Sequence, residues 1–307
     1  MNSAADERLE VTIGNLTLAN PVMPASGCFG PELAPVTPLG GLGAVVTKTV
    51  FDSVRSGNPA HRLDEVRGGM LNSVGIPSPG MDVFRERTLP AYEKLGPPVI
   101  VSLGGLAVRE YADAADALAD TGAAAFEVNV SCPNLEHSGL EIGADPAQVE
   151  KVTALVRERA RGRPVIVKLT PNVTSIAEIA RAAEAGGADA VTVANTFVGM
   201  SIDRHSRRPS LGNGVGGLSG PAIRPLVLRL VWQTARAVSV PVIACGGAGS
   251  VDHVAEYLIA GACAVQIGTA TFTRPSTMTD IIADLRHMLD ELGARTLSDL
   301  SGSLGMA

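Results

Sequence analysis

The segment PVIVKLTPNVTSIAEIARAAEAGGADAVTVANT, residues 164–196, decides the fold. It opens on Val165-Ile-Val, apolar on both faces, as a strand of a buried parallel sheet requires. An amphipathic stretch, Ser175–Gly186, follows. At Ala185-Gly-Gly-Ala-Asp-Ala the chain turns into a second strand, Ala188–Thr196. The same helix-end-to-strand turn recurs at Thr121-Gly-Ala-Ala-Ala and at Ala260-Gly-Ala-Cys-Ala, so the chain repeats a βα unit.

Working outward, strands are predicted near Pro21–Gly27, Gly43–Val50, Pro98–Gly104, Ala124–Cys132, Pro164–Pro171, Ala188–Thr196, Pro241–Gly247 and Ala264–Phe272. Helices are predicted over Val108–Thr121, Pro146–Arg161, Ser175–Gly186, Pro221–Val238 and Ser250–Gly261. Asp145 before Pro146 is an N-cap followed by Pro at the first helical position, and Gly122, Gly186 and Gly261 stand where helices stop. Eight strands alternating with helices imply a closed (β/α)8 TIM barrel spanning residues 1–307 as one domain. An open doubly wound sheet is the alternative. The barrel is preferred because polar residues suited to function recur at strand C-termini, where barrel sites form. Two connections, Asp52–Leu95 and Phe197–Gly220, are too long for ordinary turns and are expected as loops over that face.

The 307 residues, 46% hydrophobic and 18% charged, suffice for one large core. A net charge of −6 argues against nucleic acid or an anionic membrane as partner, because phosphate binding needs clustered Lys and Arg. No apolar run reaches the roughly 18 residues of a membrane span, and the N-terminus lacks a signal-peptide pattern. Cys28, Cys132, Cys245 and Cys263 form no Cys-x-x-Cys pair, so no zinc or iron–sulfur framework is expected here. Free thiols fit a reducing, cytoplasmic setting. The five histidines form no metal-spaced pair, so no metal is expected.

Three constellations carry chemistry. Asn129-Val-Ser-Cys-Pro-Asn134 ends the fourth strand, placing Cys132 at the barrel rim between two amides able to hold a planar polar ligand. Free Cys is usually just a small buried hydrophobe, but Pro133 and Asn134 show that the strand has ended. Lys48 and Lys168 also stand at strand ends. Either alone could snorkel to solvent; both together with the Asn residues imply an anionic ligand over the mouth. Gly246-Gly247 after the seventh strand and Gly268-Thr269 on the eighth let backbone N–H groups approach a phosphate. The segment Gly212-Asn-Gly-Val-Gly-Gly follows no predicted strand and opens no helix, so it is given no dinucleotide meaning.

Ala25-Ser-Gly, Thr47-Lys-Thr49, Asn72-Ser-Val-Gly, Asn129-Val-Ser-Cys-Pro-Asn134, Lys168, Asn195-Thr196, Gly199-Met-Ser-Ile-Asp203, Gly217-Leu-Ser-Gly-Pro-Ala222 and Gly246-Gly247 together resemble the class 1 dihydroorotate dehydrogenases. Class 1B catalytic subunits are the nearest match, and the likeness covers nearly the whole chain. The membrane-associated class 2 enzymes carry Ser where this chain has Cys132, and an N-terminal extension.

The resemblance implies oxidation of dihydroorotate to orotate in pyrimidine biosynthesis on bound FMN. Cys132 would take the C5 proton as base while C6 delivers hydride to flavin N5. It implies FMN contacts at Ser26, Lys48, Thr49, Ser102, Asn129, Lys168, Ala194, Gly220, Gly246, Gly247, Gly268 and Thr269. Lys48, Asn72, Ser73, Val74, Gly75, Ile76, Asn129, Asn134, Asn195 and Thr196 would hold the substrate. It also implies a homodimer joined, as a heterotetramer, to a subunit carrying FAD and an iron–sulfur cluster that passes electrons to NAD.

One departure stands out: where the family usually has Asn after the third strand, this chain has Ser102-Leu-Gly-Gly105. The segment Pro133–Asp145, with Gly139 and Gly143 as hinges, is the expected lid. The nearest competing function is a related FMN-dependent dihydropyrimidine dehydrogenase of the dihydrouracil type. A flavin-free phosphosugar barrel enzyme and a non-catalytic flavin-binding protein are the others.

Overall fold

The structure is a computed structural model that describes residues 6–37, 39, 41–131 and 142–305. Eight strands form one parallel sheet: β1 (Val22–Pro24), β2 (Val45–Val46), β3 (Val99–Leu103), β4 (Ala125–Asn129), β5 (Val165–Lys168), β6 (Ala190–Val193), β7 (Val242–Cys245) and β8 (Ala262–Ile267). From β2 to β8 each strand pairs with its successor, and β8 returns to β1 through Val265↔Val22 and Gln266↔Met23. At the remaining seam Gly43 N–H donates to the Val22 carbonyl at 2.9 Å, which brings β1 and β2 together. Only glycine permits that approach, since a Cβ on Gly43 would lie 2.0 Å from the Asn20 carbonyl oxygen. The result is a (β/α)8 barrel.

Every residue of β3, β4, β5, β6 and β7 is buried, because helices cover one face and barrel-filling side chains the other. The covering helices are α1 (Val108–Ala117), α2 (Pro146–Arg159), α3 (Ile176–Ala185), α4 (Arg224–Ala235), α5 (Val251–Ile259) and α6 (Thr277–Glu291). Three begin on side-chain caps. Asp145 accepts from Ala147 N–H, Ser175 from Glu178 N–H and Ser250 from His253 N–H, which satisfies donors left open at a helix start. No described helix is long and apolar enough to cross a membrane.

The strands are mostly shorter than expected, and several other features differ. α1 ends at Ala117 rather than Thr121, and α4 is preceded by a 3-10 turn at Pro221–Ile223. The last strand begins at Ala262 and stops at Ile267; residues 270–272, expected as strand, lie in a short helix, Ala270–Thr273. α6 was not expected, although Met278, Ile281, Leu285, Met288 and Leu289 recur at helical spacing and are buried.

The larger correction concerns the two long connections. They are not mere loops but meet in one four-stranded antiparallel sheet, ordered Phe197–Gly199, Gly216–Ser219, Gly69–Asn72, Leu63–Val66. This sheet roofs the C-terminal face. At the other end a hairpin, Val11–Ile13 with Leu16–Leu18, seats Gly14 against Pro164 and Asp189, which begin β5 and precede β6.

Candidate active site

A cavity of about 490 Å³ lies between the strand ends and the roof. The barrel supplies Ser26 after β1, Lys48 and Thr49 after β2, Asn129 on β4, Lys168 on β5 and Ala194-Asn195-Thr196 after β6. Gly246-Gly247 after β7 and Gly268-Thr269 after β8 complete that wall. The roof supplies Asn72, Val74, Gly75, Ile76 and Gly220. Seventeen of the residues singled out from sequence therefore converge on one space.

Two others lie a layer behind it. Ser102 is fully buried, with its hydroxyl 2.9 Å from Thr49 Oγ1, so Thr49 stands between it and the cavity. Ser73 is also fully buried and accepts from Asn58 Nδ2 at 2.8 Å. Alternation along an extended segment explains this: Asn72 and Val74 face the cavity and Ser73 faces away. Cys132, Asn134 and most of the expected lid, Pro133–Asp145, lie outside the described residues.

The amides are fixed by their own network. Asn129 Nδ2 donates to Thr49 Oγ1 at 3.1 Å, and its Oδ1 accepts from Ser131 Oγ at 2.7 Å. Asn195 Nδ2 donates to Ser131 Oγ at 2.8 Å, which couples β4 to β6 above the barrel. Thr269 Oγ1 donates to Ser219 Oγ at 2.8 Å and so ties β8 to the roof. Rotamers locked in this way hold donors and acceptors at set positions before any ligand arrives.

The two lysines differ. Lys48 is half-buried at the wall, and burial lowers its pKa; Arg62 lowers it further, while Cys28 and Glu32 act in the opposite sense. Lys168 is 4% exposed, and burial alone would lower its pKa too. Cys245, Glu127 and Cys28 act against burial, and the net direction is upward. Burial raises both thiols, Cys28 to about 11, and Glu127 is the carboxylate that faces Lys168. Lys168 Nζ lies 3.8 Å from Glu127 Oε1 and donates to Gln266 Oε1 at 2.9 Å.

Sequence reading missed Glu127, Gln266, Cys28, Cys245 and Ser219. Glu127 interrupts the apolar run Ala123-Ala-Ala-Phe-Glu-Val just as Lys168 interrupts its own, so the signal was present. Cys28 and Cys245 line the cavity but carry no motif, whereas Ser219 lies in the run Gly217-Leu-Ser-Gly-Pro-Ala222 without having been given a role.

Fold and site define a TIM-barrel protein whose roofed mouth, two lysines and two glycine-lined strand ends suit a planar, phosphate-bearing ligand beside a smaller anion. The dihydroorotate dehydrogenase family model matches residues 8–289. Two relatives named "Dihydroorotate dehydrogenase B (NAD(+)), catalytic subunit" illustrate the likeness. The Alkaliphilus metalliredigens protein is 43% identical over 96% of this chain and 98% of its own. The Trichlorobacter lovleyi protein is 46% identical over the same shares. The chain belongs to the dihydroorotate dehydrogenase family.

Proposed function

We propose that this chain is the FMN-holding catalytic subunit of a class 1B dihydroorotate dehydrogenase, oxidising dihydroorotate to orotate. One observation carries the reading: Lys48, Lys168, Asn72, Asn129 and Asn195 share a single cavity that ends in the glycine seats after β7 and β8. The residues present fit FMN. The cavity volume is in the range of a cofactor site, the glycine backbone suits a phosphate, and Ser26, Thr49, Asn129 and Lys168 suit the edge of a polar ring system.

When bound, FMN supplies the two-electron acceptor. The chain's own groups do the rest. Lys48 and the Asn72, Asn129 and Asn195 amides orient the substrate's carboxylate and ring amides. The roof excludes water, which strengthens each of these contacts. Lys168 stabilises negative charge developing opposite it. Cys132 takes the C5 proton. A thiol of ordinary pKa, about 8.5, is a modest base at neutral pH, so turnover rises with pH through the Cys132 pKa.

By the same reading the chain works in the cytoplasm, where its free thiols persist, as a homodimer. It delivers electrons to NAD through a second subunit carrying FAD and an iron–sulfur cluster, in keeping with the relatives' names.

The test is anaerobic. Purified protein is checked for FMN, mixed with dihydroorotate, and followed by the flavin's visible absorption. Rapid bleaching is expected, with Cys132→Ala slowing it by at least about 100-fold. A yellow protein bleached by dihydrouracil and not by dihydroorotate would transfer the activity to the other pyrimidine. Protein that takes up no flavin would refute the reading outright.

A further inference from the structure

We propose that Glu127 is a positioning residue that holds Lys168 as a fixed cation behind the flavin, so that flavin reduction draws no proton to that lysine. The inference rests on the flavin reading above.

Glu127 sits mid-strand in β4, completely buried, with its carboxylate inside the barrel. It is held from across the barrel: Thr192 Oγ1 on β6 donates to Oε2 at 3.2 Å, and Gln266 Nε2 on β8 donates to the same oxygen. Residues of alternate strands thus meet in one interior layer. The other oxygen, Oε1, accepts no hydrogen bond among the described residues and lies 3.8 Å from the Lys168 ammonium. Gln266 completes the triangle by accepting from Lys168 Nζ through its own oxygen, so its amide orientation is dictated at both ends. Lys168 lies two residues further along the shared register, opposite Asn129, and lines the cavity.

A carboxylate oxygen buried without a hydrogen bond is a costly arrangement for packing alone, since an apolar side chain of similar size serves a barrel interior as well. It serves a lysine directly. Fully buried without a counter-charge, a lysine gives up its proton far below its ordinary pKa. With Cys245 and Glu127 beside it, the pKa of Lys168 is raised instead. The other titratable groups facing Lys168 are Cys245 at the end of β7 and Cys28 after β1. Burial holds both thiols above their usual range and hence neutral, and Lys48 stands on the far side of Cys28. Glu127 is therefore the carboxylate, among the described residues, placed to hold Lys168 charged.

The consequence is a proton count. Two electrons arriving beside an already charged Lys168 bring no proton to it. In Glu127→Gln, Lys168 is neutral while the flavin is oxidised and takes up one proton on reduction. One extra proton makes the reduction equilibrium fall a further tenfold per pH unit, which for a two-electron couple is 29.6 mV.

The experiment compares the flavin midpoint potential of FMN-loaded wild type and Glu127→Gln from about pH 6.5 to 8.5, by spectroelectrochemical titration. The variant's line is expected to be steeper by that amount. The double variant Glu127→Gln/Lys168→Met, which has no lysine to protonate, is expected to return to the wild-type slope. A merely structural role would shift stability or flavin occupancy and leave the slopes parallel; parallel slopes overturn the inference. If Glu127→Gln does not fold, the wild type decides: a line that itself steepens by a further tenfold per pH unit shows Lys168 titrating despite Glu127. Wild type that binds no flavin defeats the functional reading and this inference with it, whereas a flavin-loaded wild type with parallel variants defeats the inference alone.

Discussion

Lys48 meets the cavity half-exposed, with Arg62 near it and, among the described residues, no carboxylate hydrogen-bonded to it, so its charge depends on pH in a way that Lys168's does not. Burial and Arg62 favour its neutral form and lower its pKa below the ordinary lysine value of about 10.4. An anion bound against it favours the charged form. The sign follows: affinity for orotate is full while Lys48 is protonated and falls as pH rises through that lowered pKa, earlier than for a solvent-exposed lysine. Titrating orotate into the flavoprotein at increasing pH, with the flavin spectrum as readout, is expected to show a flat region and then a decline. Lys48→Met should be weaker by roughly 10- to 100-fold at neutral pH, the worth of a hydrogen bond to a charged group, and flat through the same range. An equal decline in Lys48→Met would assign the pH effect to another group.

Among the elements, the roof strand Gly216–Ser219 has the most exacting fit. Gly217 pairs with Val198 on one side and Asn72 on the other, and a Cβ there would lie 2.0 Å from Thr196 Oγ1 and 2.7 Å from Thr196 Cβ. Gly217→Ala must push the roof off the end of β6, since neither a backbone strand nor a β-branched side chain yields readily. The expected outcome is a KM for dihydroorotate raised about tenfold or more and a stability loss of about 1–3 kcal/mol, as overpacking gives, with FMN retained. Steady-state kinetics and thermal melting check this; an unchanged KM would mean that the roof does not shape the substrate site.

The same element shows where sequence stops being legible. The barrel strands announce themselves because both faces are apolar over Val99-Ile-Val and Val165-Ile-Val. Gly216-Gly-Leu-Ser has poor strand propensity, and its partners lie about 20 and 145 residues away in two insertions, so nothing local marks it. Ala262-Cys-Ala was passed over as a strand start for the same reason: small residues give no period. Glu127 could be read as anomalous but not as paired, because Thr192 and Gln266 reach it only once the barrel closes.

At the scale of the whole molecule the question is where the electrons leave. Handing them directly to NAD requires a nicotinamide ring packed on the flavin, and on the reading proposed above the cavity of about 490 Å³ is taken by a flavin and a pyrimidine. The glycine-rich run Gly212–Gly217 leads into a roof strand rather than opening a helix, so its backbone is not arranged as a pyrophosphate seat. Among the described residues no three His, Cys, Asp or Glu side chains gather as a metal site, and the proposal above assigns the iron–sulfur relay to the second subunit. The purified chain, reduced by dihydroorotate, is therefore expected to return its electrons quickly to a small artificial acceptor such as an indophenol dye. It should return them to NAD at least about 100-fold more slowly, a ratio equivalent to about 2.7 kcal/mol of barrel-imposed separation. Adding an electron-transfer subunit should raise the NAD rate to that of the dye. Rapid NADH formation by the chain alone would place a nicotinamide site within this barrel and make the second subunit unnecessary.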